Sequence, residues 1–312
     1  MTESSQPGLK SNALLSLVIP CYNEEAVLPR LFERVTAAAD QLGCPWEVIC
    51  VDDGSRDGTW RMLSEQHRKD ARWRAVRFSR DFGHQTALTA GMTFARGDAV
   101  VLLDADLQDP PEQIPKLVGK WREGYEVVYT VHTKRQDAAL KQLFAWGFYR
   151  VMSRLVPFDV PADSADFCLL DRKVVNVLNV LPERSRYLRG LRTWCGFRQT
   201  GVEFERDARV AGTAQYSFLK SFRLAMDGIF SFSSTPLRLA TWLGILACFF
   251  ALAGAVIACW RDDSVLVFGM LFLGGAQLIC LGILGEYLGR IYDEVKGRPR
   301  WIIQETAGAT PP

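Results

Sequence analysis

The stretch VVLLDADLQDPPE, residues 100–112, begins as an apolar strand and ends in a cluster of acids and prolines. Four aliphatic residues are followed directly by Asp104, Asp106 and Asp109. Carboxylates this close together repel one another and lose favourable hydration when they are buried. Their position behind a buried strand therefore indicates a site that receives positive charge.

An Asp-x-Asp at a strand end suits a hard divalent cation. Mg²⁺ or Mn²⁺ prefers oxygen ligands and commonly bridges one or two carboxylates to substrate phosphates. We predict that Asp106 binds the metal directly, that Asp104 reaches the metal or the substrate, and that Gln108 adds an amide oxygen. The alternative is that these acids cap the following helix, whose N-terminus favours negative charge. Asp109, directly before two prolines, fits that alternative, whereas the first two acids lie too far upstream.

The pattern of an apolar strand followed by polar residues recurs along the first part of the chain. Helix-like segments separate five apolar runs, which are LLSLVIP, WEVICVDD, WRAVRFS, AVVLLDAD and YEVVYTV. Continuous apolar strands that alternate with helices predict an α/β domain, with a mostly parallel sheet covered by helices on both faces. Ligands of such sheets bind beyond the carboxyl ends of the strands, where CYNEE, DDGSRDGT and DADLQD all fall.

The last quarter of the chain has a different composition. Residues 239–260 contain no charge, and residues 265–284 are nearly as apolar, with Gln277 as their one strongly polar member. Each run is long enough to cross a bilayer, so two transmembrane helices joined by a tight turn are predicted. Arginine and lysine lie outside both runs, which places the N-terminal domain in the cytoplasm of a multi-pass cell (inner) membrane protein.

Two aromatic-rich segments with scattered cations, at about 138–155 and 215–233, fit helices that lie at the membrane surface. Ordinary core-packing helices are an equally weighted alternative. Gly285 and Gly289 have the small-xxx-small spacing of helix packing between subunits, so a homo-oligomer is considered. The predicted organisation is a disordered lead-in (1–13), a cytoplasmic domain (14–235), a transmembrane hairpin (236–288) and a cytoplasmic tail (289–312).

Composition excludes several classes of protein. The formal net charge is +2, so the chain lacks the basic field of nucleic-acid-binding proteins. Eight cysteines without a C-x-x-C pair predict neither a disulfide framework nor a zinc site. The polar N-terminus MTESSQPGLKSN does not predict a signal peptide.

Four segments now carry a resemblance to a known family: VIPCYNEE, VDDGSRDGT, FGHQTALTAGM and DADLQDPPE. Their order and spacing resemble family 2 glycosyltransferases with the GT-A fold. With the paired apolar runs, the chain looks like the polyprenyl-phosphate glycosyltransferases, which are relatives of dolichol-phosphate mannose synthase, and resembles the bactoprenol glucosyltransferases most.

This resemblance implies an inverting enzyme that moves a hexose from a nucleotide-sugar to polyprenyl (undecaprenyl) phosphate on the cytoplasmic face of the bilayer. UDP-glucose is the expected donor, while N-acetylglucosamine, mannose and modified arabinose stay open as transferred sugars. The product would supply a lipid-linked sugar for surface glycans. The alternative from another class is a non-catalytic membrane scaffold that keeps the fold.

The resemblance also implies roles for individual residues. Asp104 and Asp166 would lie at the reacting centre, with Asp166 orienting the acceptor more than deprotonating it. The base would be bound by Asp52 or Asp53, between which the pattern does not choose. The other implied nucleotide-sugar contacts are Pro20, Tyr22, Glu24, Asp104, Ala105, Arg135 and Arg209. The candidates for the acceptor phosphate are Arg135, Lys141 and Arg150, with ordinary positive-inside charges as the alternative.

The chain departs from the family pattern at three places where a cation is usual. These places hold His132, Cys168 and Gln215. His132 is either a charged surrogate or a loop residue. His84 in FGHQ is expected to serve at a loop or helix start rather than in catalysis.

Overall fold

The computed structural model describes residues 13–132, 164–184, 186–204, 235–258 and 264–310. The lead-in and both predicted surface helices lie outside these residues, apart from the last lead-in residue. In chain order the elements are β1 (Leu15–Cys21), α1 (Leu28–Asp40), β2 (Trp46–Asp52), α2 (Thr59–Lys69), β3 (Trp73–Phe78), α3 (His84–Phe94), β4 (Ala99–Leu102), a 3₁₀ turn (Pro111–Gln113), α4 (Ile114–Arg122), β5 (Val127–His132), β6 (Ser164–Asp171), α5 (Arg172–Val180), α6 (Leu188–Trp194), β7 (Gln199–Phe204), α7 (Thr235–Ala258), α8 (Ser264–Val295) and β8 (Ile303–Ala307).

The described strands form one mixed sheet in the order β7-β5-β6-β4-β1-β2-β3-β8. Strands β3, β2, β1 and β4 run parallel to one another, as predicted. Successive side chains of β1 enter two cores: Leu17 and Ile19 pack on the face that α1 and α4 cover, and Val18 packs on the face that α3 covers. All three are fully buried. The prediction of an α/β sheet with helices on both faces is therefore confirmed.

The sequence pattern misplaced the fifth strand. Instead of extending the parallel sheet beside β4, β5 is separated from it by β6, which is antiparallel to both. For the segment SADFCLLD the resemblance implies only the acid Asp166, and no strand is predicted there. Its side chains are buried in both cores, with Phe167 and Leu169 on one face and Cys168 and Leu170 on the other.

The tail, predicted as a separate region, returns to the domain as a strand. β8 pairs antiparallel with β3, with Thr306 opposite Val76. Just before it, Trp301 stacks on Phe78 with ring centroids 6.3 Å apart. The end of α8 is therefore joined to the edge of the sheet.

Helices α7 and α8 pack against each other. The Cys280 thiol lies 3.2 Å from the carbonyl oxygen of Ala240, and the rings of Phe250 and Phe272 meet edge to face. Among the described residues one helical segment, Phe272–Val295, is long and apolar enough to cross a membrane, and Leu237–Phe250 is a shorter apolar segment. The sequence predicts two spanning helices. Among the described residues, the segment in α8 meets the length criterion, and the apolar segment in α7 is shorter.

Candidate active site

Two loops at the carboxyl ends of β1 and β2 are joined by hydrogen bonds. Asn23 donates its backbone N–H to Ser55 Oγ at 2.9 Å and accepts the N–H of Arg56 at 2.9 Å. The N–H of Glu24 donates to Thr59 Oγ1 at 2.9 Å. Asn23 adopts φ 55°, a left-handed conformation that asparagine tolerates better than most residues. CYNEE and DDGSRDGT therefore form one connected surface.

The predicted nucleotide contacts in the first loop differ in exposure. Pro20 is buried within β1, and Glu24 is partly buried. Tyr22 follows the strand and is 42% exposed, so its ring is available to a ligand. Asp57, two residues before α2 begins, accepts the N–H of Thr59 at 3.0 Å.

Asp52 and Asp53 both face the interior of the protein. Asp53 accepts the N–H groups of Phe82 and Gly83 at 2.7 and 2.9 Å, so it fixes the chain where α3 begins. Burial raises its pKa to about 6. Asp52 accepts the N–H of Ser55 at 2.9 Å and lies 3.4 Å from Arg77 Nε. Burial also raises the pKa of Asp52.

The turn after these acids requires glycine. Gly54 has φ 71°, and a Cβ there would lie 2.5 Å from the carbonyl carbon of Arg80. A side chain could not fit without moving backbone, so the β2 loop is held directly against the segment that leads into α3.

Asp104 lies beside the first residue of α3. His84 Nε2 is 3.4 Å from Asp104 Oδ1, so His84 both starts the helix, as predicted, and contacts an acid of the site. Burial raises the pKa of Asp104; the His84 imidazole opposes the shift, whereas Asp166 and Asp106 add to it. The Arg189 guanidinium opposes the shift as well, so two carboxylates act on Asp104 against one guanidinium and one imidazole.

Asp166 at the start of β6 forms a bidentate ion pair with Arg189 of α6. The Nε–Oδ1 and Nη2–Oδ2 distances are 2.7 and 2.9 Å. Although burial disfavours the charged carboxylate, the Arg189 guanidinium outweighs it and holds the pKa of Asp166 well below its usual range. This acid is ionised at neutral pH.

The remaining residues of DADLQD are arranged by a tight turn. Asp106 Oδ1 accepts the N–H of Gln108 at 3.1 Å. Leu107 between them has a left-handed backbone, with φ 56°, and its side chain is fully buried. This burial holds the residue in a conformation that is otherwise unfavourable for leucine. Ala105 is buried, and no side chain longer than its methyl group stands between the two acids.

These carboxylates fit a hard divalent cation. The three carboxylates of Asp104, Asp106 and Asp166 supply oxygen ligands, and the guanidiniums of Arg189 and Arg192 and the His84 imidazole act on them from nearby. Within the described ranges no group of three or more His, Cys, Asp or Glu side chains could hold a metal alone. Mg²⁺ and Mn²⁺ do not need such a cage, because they keep waters and take substrate phosphates as ligands.

Several predicted residues cannot be placed. Their positions lie outside the described part of the chain and comprise Arg135, Lys141, Arg150, Arg209 and Gln215. His132 ends β5 opposite Phe204 of β7. Cys168 is fully buried in β6.

Arg189 is the functional candidate that the motif comparison missed. It contacts Asp166 from an element 23 residues further along the chain. The segment RYLRGLR held a usable signal, because its three arginines recur every third residue. Arg189 therefore supplies a cation to the site, although His132, Cys168 and Gln215 stand where the family pattern usually has cations.

The chain is similar to known glycosyltransferases. Residues 16–178 match the family described as Glycosyl transferase family 2. An uncharacterized glycosyltransferase of Synechocystis sp. is 44% identical over 304 residues, covering 94% of this chain and 96% of the relative. The bactoprenol glucosyl transferase of Shigella phage SfII is 37% identical over 310 residues, covering 95% and 99%. A more distant likeness, 21% identical with a TM-score of 0.49, is to glucosyl-3-phosphoglycerate synthase from Mycobacterium tuberculosis in complex with Mn²⁺, UDP and phosphoglyceric acid, covering 71% of this chain and 78% of that chain.

Proposed function

The chain belongs to glycosyltransferase family 2, and from that premise we propose that it transfers a hexose, with glucose as the first candidate, from a nucleotide-sugar to polyprenyl phosphate at a membrane. One observation carries the proposal: Asp104 and Asp106 after β4 lie beside the Asp166–Arg189 pair, next to the joined β1 and β2 loops. The lipid acceptor is supported by the relatives named bactoprenol glucosyl transferase, which match almost the whole chain.

The donor would lie across the joined loops at the carboxyl edge of the sheet. Tyr22 would pack against the base, and Asp52 or Asp53 would accept a hydrogen bond from it. Both oxygens of Asp53 already accept backbone N–H groups, whereas only one oxygen of Asp52 does. The other Asp52 oxygen could therefore accept a hydrogen bond from the base. The donor phosphates would then face Asp104 and Asp106.

Asp106 and Asp104 would hold the Mg²⁺ or Mn²⁺, with Gln108 as a further oxygen ligand. When bound, this ion would stabilise the negative charge that develops on the departing diphosphate. Arg209, outside the described residues, is proposed to contact the same phosphates. Arg135 is the remaining proposed contact to the nucleotide-sugar.

The acceptor needs orientation more than deprotonation. A phosphate monoester is already anionic near neutral pH, so one of its oxygens can attack the anomeric carbon as the bond to the leaving diphosphate breaks. A single displacement of this kind inverts the anomeric configuration. Asp166 is held in its charged form by Arg189 and would fix the geometry of the reacting groups. Catalysis would therefore come from positioning and electrostatics.

Membrane attachment would bring the acceptor to the site. Helices α7 and α8 would form the transmembrane hairpin, with the sheet domain on the cytoplasmic side of the cell membrane. A polyprenyl tail stays in hydrocarbon while its phosphate stays at the headgroups, so an anchored enzyme meets it at high effective concentration. Arg135, Lys141 and Arg150 stay candidates for contact with that phosphate.

A transfer assay tests this proposal. The purified full chain is incubated with polyprenyl phosphate, Mg²⁺ or Mn²⁺ and a panel of labelled nucleotide-sugars, and chloroform-soluble label is counted. We expect labelled lipid with one donor, and a rate roughly 10²-fold lower in Asp106→Ala. Glu65→Ala removes an exposed carboxylate of α2 and serves as the matched control, with an unchanged rate. Label that stays aqueous with every donor would overturn the proposal, as would an Asp106→Ala variant of wild-type rate.

A further inference from the structure

A cavity of about 240 Å³ lies beside the start of α3 and is lined by five arginines. Three separate segments build it: the connection from β3 into α3, the chain just before α6, and the residues that follow α8. The lining side chains used here are Arg80, Arg184, Arg186, Arg298, Arg300 and Trp301. No role assigned so far involves this cavity.

The arginines of this cavity lack carboxylate partners. Within the described residues, no side chain of the five forms an ion pair with an acid, and the hydrogen bonds of these side chains go to carbonyl oxygens. The backbone N–H of Arg184, by contrast, donates to Glu294 Oε1 at 2.7 Å. Arg186 donates to the carbonyls of Leu178 and Leu181 at 2.7 and 2.6 Å, and Arg300 donates to the same Leu181 oxygen at 2.5 Å. Two guanidinium groups therefore converge on one carbonyl.

Arg186 is the strongest sign of a missing anion. It is 8% exposed, and its Nη1 has no hydrogen-bond partner. Burial lowers its pKa to about 10, and repulsion from Arg300 acts in the same direction, yet the group stays charged at neutral pH. Glu183 and Glu294 are the carboxylates that act on Arg186. An arriving anion would relieve both the repulsion and the unsatisfied donor.

The location of the cavity relates it to both the membrane and the acids. Arg298 follows the end of α8 by three residues, so a bilayer-spanning α8 would place the cavity at the headgroup level. Gln85, another lining residue, accepts the N–H of Leu188 at 3.1 Å, and Leu188 starts the helix that carries Arg189. His84, its neighbour in sequence, contacts Asp104. The cavity and the acidic cluster thus share the starts of α3 and α6.

We propose that this cavity binds the phosphate monoester headgroup of a membrane lipid as it enters from the bilayer surface; in its choice of lipid, this inference rests on the proposed function. Guanidinium groups match phosphate oxygens in geometry and make charge-assisted hydrogen bonds to them. A monoester carries up to two negative charges and a diester one, so a cavity lined by five guanidiniums favours the monoester. Inorganic phosphate shares this chemistry, and the experiment separates the two sources.

Binding is measured by titrating the full chain in detergent micelles, without donor, with farnesyl phosphate, farnesol, inorganic phosphate or phosphatidylglycerol. The test variant is Arg80→Gln/Arg298→Gln, because both side chains are exposed and their loss leaves the buried Arg186 in place. The control is Arg68→Gln/Arg122→Gln, which removes two exposed arginines elsewhere on the domain. We expect farnesyl phosphate to bind at least tenfold more weakly to the test variant and unchanged to the control, with farnesol not binding. Arg80→Lys/Arg298→Lys should keep most of the affinity.

Equal binding of farnesyl phosphate to the test and control variants would overturn the site. Inorganic phosphate that binds as tightly as farnesyl phosphate, with the same loss in the test variant, would overturn the lipid source and leave free phosphate as the occupant. Equal binding of phosphatidylglycerol would overturn the preference for a monoester. The binding assay is repeated in Asp106→Ala, where it should be unchanged. A chain that makes no lipid-linked sugar but shows the expected binding pattern would refute the proposed function and uphold the site.

Discussion

The acidic cluster and the arginine cavity lie at the starts of the same two helices, and they treat charge in opposite ways. In the cluster, Asp166 has a guanidinium partner and Asp104 has an imidazole beside it. In the cavity, Arg186 and Arg300 have only carbonyl oxygens. The two proposals differ accordingly: a divalent cation held by the cluster would meet the donor phosphates, whereas the guanidiniums of the cavity would meet a lipid phosphate directly.

Helix α6 and the residues before it serve both sites. Arg186 belongs to the cavity, and Arg189, three residues later, belongs to the cluster. Arg192 follows after another three residues, is buried, and lies over the ring of Tyr129 with Cζ 5.4 Å from its centroid. A shift of this short helix would therefore act on both sites together.

The largest expected effect breaks the ion pair of the cluster. Arg189→Met leaves Asp166 without its main partner, so the transfer rate should fall roughly 10²-fold. The pKa of Asp166 should also rise, which moves the acidic limb of the pH–rate profile to higher pH. Arg189→Lys keeps the positive charge but loses the bidentate geometry, so its transfer rate should lie between those of the wild type and Arg189→Met.

Arg198→Met is the matched control for this prediction. Arg198 is exposed and packs over Tyr125, away from the acids. Its rate and pH profile should equal those of the wild type. If Arg189→Met behaves like this control, Asp166 does not depend on the pair, and its proposed role in orientation is wrong.

The parallel half of the sheet was predictable, whereas the antiparallel half was not. Strands β1 to β4 are buried on both faces and are mostly apolar, which identifies them locally even though β2 contains Glu47 and β3 contains Arg74 and Arg77. In β6, Ser164, Asp166 and Asp171 interrupt the pattern, although the residues between them are buried. Strand β8 is short, polar and at the sheet edge, so its pairing with β3 depends on contacts more than 200 residues apart.

The same reasoning separates the two sites. The acids of DADLQD are neighbours in sequence, so a motif reveals them. The arginine cavity combines side chains near residues 80, 185 and 300, and only the folded chain brings them together. Arg189 is an intermediate case for sequence-based prediction. Its segment can be recognised in the sequence as a basic repeat, but its pairing with Asp166 cannot.

The second expected effect sharpens the comparison through pH. Burial raises the pKa of Asp53 to about 6, against an ordinary value of 3.8. For an acid with a raised folded pKa, the stability contribution is complete below the unfolded pKa and is lost as pH rises through the folded one. The stability of the wild type relative to Asp53→Asn should therefore increase by about 1 kcal/mol when the pH falls from 7 to 5. Thermal or denaturant unfolding at several pH values measures it.

The arginine cavity provides the control for this pH dependence. Arg186 has a pKa of about 10, far above the window, so it stays charged there. The difference in stability between the wild type and Arg80→Gln/Arg298→Gln should stay constant from pH 7 to 5. A constant difference for Asp53→Asn as well would show that Asp53 titrates normally despite its burial.

The smallest expected effect concerns Glu112, which ends the same acidic stretch but lies outside the cluster. It forms a bidentate pair with Arg34 of α1, with N–O distances of 2.8 and 2.7 Å, and its side chain is 51% exposed. Because exposed pairs contribute little, Glu112→Gln should lower the free energy of unfolding by about 0.5 kcal/mol and leave the transfer rate within about twofold. Asp106→Ala, six residues away, removes the same charge and should lower the transfer rate roughly 10²-fold. If Glu112→Gln slowed transfer about tenfold instead, negative charge at the 3₁₀ turn would also contribute to catalysis. The number of acids, rather than their position directly after β4, would then determine the transfer rate.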